Sequence, residues 1–220
     1  MKSLPYKMVY LFGSDGTGKT THADLLAMYL ERNGYRIRRA TVKQHHTLSY
    51  VLLKLLTYKK PDQASINYYG FNYQLGKKIR TPWKIVELVS VVPAVFYRVL
   101  LPLFFGYLVI CDRYLLDTLV TLSYFLKEPN FLSSRVSKVL LRLIPKRSLL
   151  VYCDADTDVI LRRKKDEPLT VQLIEYYKSA YRNLSRWSGL KMVVVDTGKN
   201  SAAEVQAKLQ GYLYAFNRQP

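Results

Sequence analysis

Cysteine and acidic residues are both scarce in this 220-residue chain, and each scarcity excludes something. Two cysteines, Cys111 and Cys153, cannot build a disulfide scaffold. Each ends an apolar run just before an aspartate, so both read as reduced core residues of a cytoplasmic protein. Against 34 Lys plus Arg there are 16 Asp plus Glu, a formal charge of +18. The cations are scattered rather than massed in one tail, so a solvated basic surface that steers anions is expected, with contact to nucleic acid or acidic lipid as the alternative. The three histidines include the pair His45-His46, which has no Cys, His or carboxylate set nearby, so it is not expected to hold a metal. No secretory signal is apparent, and no internal repeat, low-complexity tract or long Gly/Ser linker divides the chain. At 49% hydrophobic content, residues 1–220 are expected to bury one core as a single domain.

What the chain does have is alternation. Strand-like apolar runs recur at Lys7–Phe12, Tyr35–Val42, Tyr107–Cys111, Ser148–Cys153 and Lys191–Asp196, with helical patterns between them. That order predicts an α/β fold with a parallel sheet, whose ligands would collect at the carboxyl ends of the strands. Ile174, Tyr177, Tyr181 and Leu184 mark one helix face; Val205, Leu209, Tyr212 and Phe216 mark another, which starts with Ser201 and Glu204 at capping-box spacing. The abundant tyrosines, 19 in all, are expected mostly in core and rim packing. The stretch Leu88–Ile110 is long enough to cross a bilayer, but it contains Arg98, Pro93 and Pro102 and then Gly106 before "YLVIC". A buried helix followed by a buried strand is the expectation there, with association to a membrane surface as the alternative.

The stretch "GSDGTGKT", Gly13 to Thr20, follows the first strand and opens a helix whose apolar positions Ala23, Leu26, Ala27 and Leu30 close at Gly34. Gly13, four residues, then Gly18-Lys19-Thr20 is the spacing of a phosphate loop. Glycines let the backbone wrap an anion closely, and the helix start aims its free N–H groups at the charge. Lys19 would reach the outer phosphates of a nucleoside triphosphate, and Thr20 would ligate Mg²⁺. Asp112, at the end of "YLVICD", is the expected second partner of that ion.

With Gly13–Thr20, "DRY" at Asp112-Arg113-Tyr114 and the basic run Leu161-Arg162-Arg163-Lys164-Lys165, the chain resembles the thymidylate kinase family over nearly its whole length in element order. The resemblance implies a three-layer P-loop NTPase fold with a five-stranded parallel sheet flanked by helices. It also implies ATP and Mg²⁺ as partners and phosphoryl transfer to a nucleoside monophosphate, dTMP to dTDP. Lys19, Arg113, Arg163 and Asp112 would then be catalytic, and Thr20 and Asp112 would hold the metal. Gly13, Ser14, Asp15, Gly16, Thr17, Gly18, Lys19, Thr20, Thr21, Asp196 and Thr197 would bind the nucleotides, with Asp15 facing the acceptor sugar and the last two near adenine. A short lid at about 162–170 would close over the phosphates, with Arg163 supplying the charge that a loop arginine at position 16 supplies in some members. A homodimer is common in the family.

The acceptor side departs from the family pattern. "VKQHHTLS" follows the second strand where Arg-Glu-Pro-Gly is usual, Phe12 stands at an acidic position, and "DRYLLDTLVTL" lacks Ala-Tyr-Gln. Lys43, Asp117 and Thr118 are the candidates to replace the missing groups. A kinase for another phosphorylated or hydroxyl acceptor, and an ATP-binding module that docks on nucleic acid or membrane, are the competing readings.

Overall fold

The computed structural model describes residues 4–42, 80–167 and 169–215. Lys43, His45, His46 and Phe216 lie outside them.

Five strands, β1 (Met8–Phe12), β2 (Ile37–Ala40), β3 (Leu108–Asp112), β4 (Ser148–Asp154) and β5 (Met192–Asp196), form one sheet in the order β2-β3-β1-β4-β5. All four pairings are parallel. The helices are α1 (Lys19–Arg32), α2 (Arg80–Val95), α3 (Leu101–Phe104), α4 (Leu115–Leu126), α5 (Arg135–Leu141), α6 (Thr157–Arg163), α7 (Val171–Ser188) and α8 (Ala202–Ala215). The chain is therefore α/β, a parallel sheet with helices on both faces.

Strand alternation decides which face each residue enters. Met8, Tyr10 and Phe12 join a core under α2, α4, α5 and α7, while Val9 and Leu11 join a second core under α1 and α8. Cys111 belongs to the first core and Cys153 to the second, and β1 lies between their strands, so the two thiols cannot meet. Both are free and buried. The periodic faces fall where the sequence puts them: Ile174, Tyr177, Tyr181 and Leu184 on α7 are all buried. On α8 the buried row is Val205, Leu209 and Leu213, with Leu213 in place of the expected Tyr212, because a four-residue step keeps all three on one side. Gly34 ends α1 with φ +83 and donates its N–H to Glu31 O.

One expectation fails. The helix inside Leu88–Ile110 is not a buried helix. Val91, Val95 and Val99 are buried, but Ile85, Val89, Val92 and Phe96 form an equally regular apolar row on the exposed side. Periodicity could not separate these two faces, because both are apolar. Pro93 sits within α2, and the backbone opens into a π turn at Phe96–Leu100 before Pro102. The strand that follows, β3, is fully buried, as expected.

Candidate functional site

β1 ends at Phe12, and the next residues turn back over the sheet edge into α1. Gly13 has φ +145, and a Cβ there would sit 2.2 Å from Cys153 O, so the loop lies flat against the end of β4 only because position 13 has no side chain. Gly16 and Gly18 also take positive φ, and Gly18 serves as the N-cap of α1 without a side-chain cap. The first N–H groups of α1 are thus left for an anion. The loop is tied down from inside: Thr17 Oγ1 donates to Ser14 O at 2.8 Å, and Thr197 Oγ1 donates to Thr17 O at 2.9 Å.

Charged groups gather at this loop. Lys19 is buried and donates to Ser14 O at 2.7 Å, with Asp15 at 3.9 Å. Burial pulls its pKa down, and Arg113 adds to the effect. Such a lysine gains strongly from a nearby polyanion. Arg113 pairs with Asp15 through a charge-assisted hydrogen bond. Burial works against the arginine's charge, but Asp15 and the other nearby acids outweigh it and keep the guanidinium firmly protonated. Its backbone takes φ 68, a left-handed conformation that a non-glycine residue holds only where its surroundings enforce it.

Thr20 Oγ1 donates to Asp112 Oδ2, joining the start of α1 to the end of β3. Asp112 is buried, and its Oδ1 has no hydrogen-bond partner among the described residues; Ser14 Oγ is in the same condition. An unsatisfied buried carboxylate oxygen beside a hydroxyl fits a hard divalent cation. No group of three His, Cys, Asp or Glu side chains suited to a metal occurs among the described residues. Thr20 and Asp112 offer two oxygens, which suits an ion such as Mg²⁺ that keeps most of its ligands as water or phosphate.

α6 forms the roof. Arg163 donates to Gly16 O at 3.2 Å and to Thr197 O at 2.7 Å, bridging the loop and the turn after β5. Lys164 pairs with Glu167. A Cβ on Gly16 would lie 3.0 Å from Lys164 Cγ and 3.2 Å from Ile160 Cγ2. A side chain at position 16 would therefore crowd α6 and the residue after it, and φ +85 is itself unfavourable to one. Arg162 and Lys165 of the same run are exposed and do not line the site.

These elements enclose an open cavity of about 610 Å³ lined by Asp15, Gly16, Gly18, Lys19, Thr20, Thr21, Arg113, Arg163 and Thr197, all expected from sequence. His22, Lys164, Asn200, Ser201 and Ala202 complete the lining. Of these, Asn200 and Ala202 escaped the sequence reading, and Ser201 was read only as a helix cap, because residues after a strand carry no motif that marks them as ligand-facing. Gly13, Ser14 and Thr17 lie behind the wall and shape it. Asp196 does not line the cavity. Its Oδ1 accepts from Gly198 N and Lys199 N and so closes the turn that presents Thr197. His22 is buried, and burial together with Arg163 lowers its pKa, which favours a neutral imidazole.

Asp117 and Thr118 do not replace the missing acceptor groups. Thr118 is buried and donates to Tyr114 O. Asp117 points into the core, where it accepts from Tyr10 Oη at 2.6 Å, Tyr181 Oη at 2.8 Å and Tyr114 N at 3.1 Å. It lies in a cage of aromatic rings, with Tyr10 edge-on to Tyr114 and Phe12 packed on Tyr181. That cage fixes the turn carrying Arg113. Burial raises the Asp117 pKa above its model-compound value of 3.8, and Lys19 and Tyr10 offset part of the rise. An acid raised in the folded state binds more protons folded than unfolded. Its contribution to stability is therefore full below about pH 4 and is lost as pH climbs through the raised value. Asp117→Asn is expected to remove that loss, so the unfolding free energy of the variant falls less with rising pH than that of the parent. Denaturant titrations at a series of pH values measure it, and parallel curves would contradict the assignment.

A scan against protein-family models finds no match for this sequence, and a search of curated proteins finds none either.

Proposed function

We propose that this protein transfers the γ-phosphoryl group of Mg·ATP to a nucleoside monophosphate, in the manner of a thymidylate kinase, with dTMP the favoured acceptor. The observation that carries the reading is the convergence of residues of the Gly13–Thr20 loop, Arg113 and Arg163, from three separate segments, on one cavity, with Asp112 hydrogen-bonded to Thr20 of its wall. The fold would then be that of the P-loop NTPases.

The chemistry asks mainly for alignment and charge neutralisation. An acceptor phosphate is already ionised at neutral pH. One of its oxygens forms the new bond to the γ-phosphorus, the bond from that phosphorus to the β,γ-bridging oxygen breaks, and the electron pair leaves with ADP. No proton has to be removed by the protein. Loop N–H groups and Lys19 would hold the donor phosphates, Arg113 the acceptor phosphate, and Arg163 the charge between them. Mg²⁺, bound at Thr20 and Asp112, would supply further neutralisation of the donor oxygens.

An alcohol acceptor would call for a carboxylate base. Asp15, the carboxylate within the loop, is already engaged by Arg113 and Lys19. A phosphorylated acceptor other than dTMP is the second reading, and it draws on a different observation: Asp117 and Thr118, which could have stood in for the missing thymidylate contacts, are turned into the core.

The test is ADP release from Mg·ATP with a panel of nucleoside monophosphates, nucleosides and phosphorylated sugars. ADP that depends on a monophosphate and disappears in Arg113→Ala is the expected result. No acceptor-dependent ADP with any monophosphate would defeat the proposal.

A further inference from the structure

The sheet is electrically polar from one edge to the other. β3, β4 and β5 each end on an aspartate, Asp112, Asp154 and Asp196, beside the cavity edge. At the opposite edge, β1, β2, β4 and β5 are each entered from a cation: Lys7, Arg36, Arg147 (after Lys146) and Lys191. Parallel pairing puts these entry residues at the same end of the sheet, Lys7 level with Arg147, Arg36 one residue before that level and Lys191 two residues after it. All five are exposed, and none makes an ion pair within the described residues.

β3 is entered differently, from Tyr107, whose ring lies 4.5 Å from the Arg36 guanidinium. Just before it stand Phe104 and Phe105, 83% and 59% exposed, with their rings edge to face. Leu103 and Gly106, on either side of that pair, share a hollow with Lys7 and Arg36, so the two phenylalanines project next to the cationic row. Earlier in the same segment lies the exposed row Ile85, Val89, Val92 and Phe96, with the neighbouring Tyr97 67% exposed. The segment Lys84–Phe104 has a mean hydropathy of 1.8, and less than half of it is buried. Single exposed apolar residues need no explanation, but an exposed helical row and, further along, an exposed aromatic pair do.

We propose that this edge is a docking surface for an anionic lipid membrane, with Phe104 and Phe105 inserting at the headgroup level and Lys7, Arg36, Lys146, Arg147 and Lys191 facing the lipid charge. Two signals are what reversible interfacial binding requires, apolar area and basic residues, and both occur side by side here. A second copy of this chain seated on the strand-entry edge would set like cations against like beside the two phenylalanines, at a net charge of +18. Nucleic acid would use the cations but has no use for the aliphatic row of Ile85, Val89 and Val92. Docking by this edge leaves the cavity, at the other ends of the strands, open to the aqueous side. The inference does not depend on which acceptor the cavity takes.

The full-length protein would be sedimented with phosphatidylcholine vesicles, with and without about one-third phosphatidylglycerol, at low and high salt. The expected result is about tenfold or greater enrichment on the anionic vesicles. That enrichment should fall with salt and disappear in Phe104→Ser/Phe105→Ser, while the far-ultraviolet spectrum and thermal midpoint of the variant match the parent. Charge reversal at the row, Arg36→Glu/Lys191→Glu, should lower it as well. Binding unchanged by the phenylalanine variant, equal binding to neutral vesicles, or a dimer in light scattering that this variant dissociates would each overturn the proposal. So would salt-sensitive binding to single-stranded DNA without any to vesicles.

Discussion

Lys19→Ala is expected to lower the proposed phosphoryl transfer by about a thousandfold while leaving the fold intact. The two halves of that expectation have separate causes. Transfer falls because Lys19 is the loop cation held within the cavity wall, and its charge, already disfavoured by burial, is stabilised most when phosphate oxygens arrive. Stability survives because the side chain makes one hydrogen bond, to Ser14 O, and Asp15 keeps its pairing with Arg113 after the lysine is gone. The change in unfolding free energy is expected within about 1 kcal/mol. Steady-state kinetics and a thermal melt on the same preparation measure both. A variant that retains transfer removes Lys19 from the mechanism, and one that unfolds shows a structural role in its place.

Gly13→Ala is expected to do the reverse, acting on the fold first. The new Cβ would stand 2.2 Å from Cys153 O, a backbone atom of a strand paired to β1 on one side and β5 on the other. Neither strand can retreat without loss of ladder hydrogen bonds, and φ +145 is itself hostile to a side chain. Together the overlap and the strain predict a loss of about 3–5 kcal/mol. Gly34→Ala is the control. Its φ of +83 is also positive, but nothing lies within 4 Å of the added Cβ, so the loss there should be about 1 kcal/mol. Urea denaturation of the two variants separates close approach from backbone preference. Equal losses would show that the contact with Cys153 does not constrain the loop.

Part of the site was legible in the residues alone because a phosphate loop is local. The glycines, Lys19 and Thr20 lie within eight consecutive positions, and their spacing carries the geometry. Asp112, Arg113 and Arg163 were legible at one remove, from a strand end and a basic run. Asp117 was not. A carboxylate three residues after Tyr114 reads as a polar group available to a ligand. The tyrosines that claim it, Tyr10 and Tyr181, are 107 and 64 residues away in sequence. Asp196 was misread for a related reason. A strand-end aspartate can face a ligand or close its own turn, and the N–H groups of Gly198 and Lys199 decide for the turn.

Local chemistry and alternation determined that this chain would be an α/β protein with a parallel sheet and a glycine loop at the end of its first strand. They also determined that both cysteines would be buried, because hydrophobic period and backbone freedom act over a few residues at a time. Tertiary structure alone decided which polar groups meet across the sheet and which apolar face of the Lys84–Phe104 segment is buried. Those outcomes depend on the strand order β2-β3-β1-β4-β5, which brings distant residues to one edge, and no short-range pattern encodes that order.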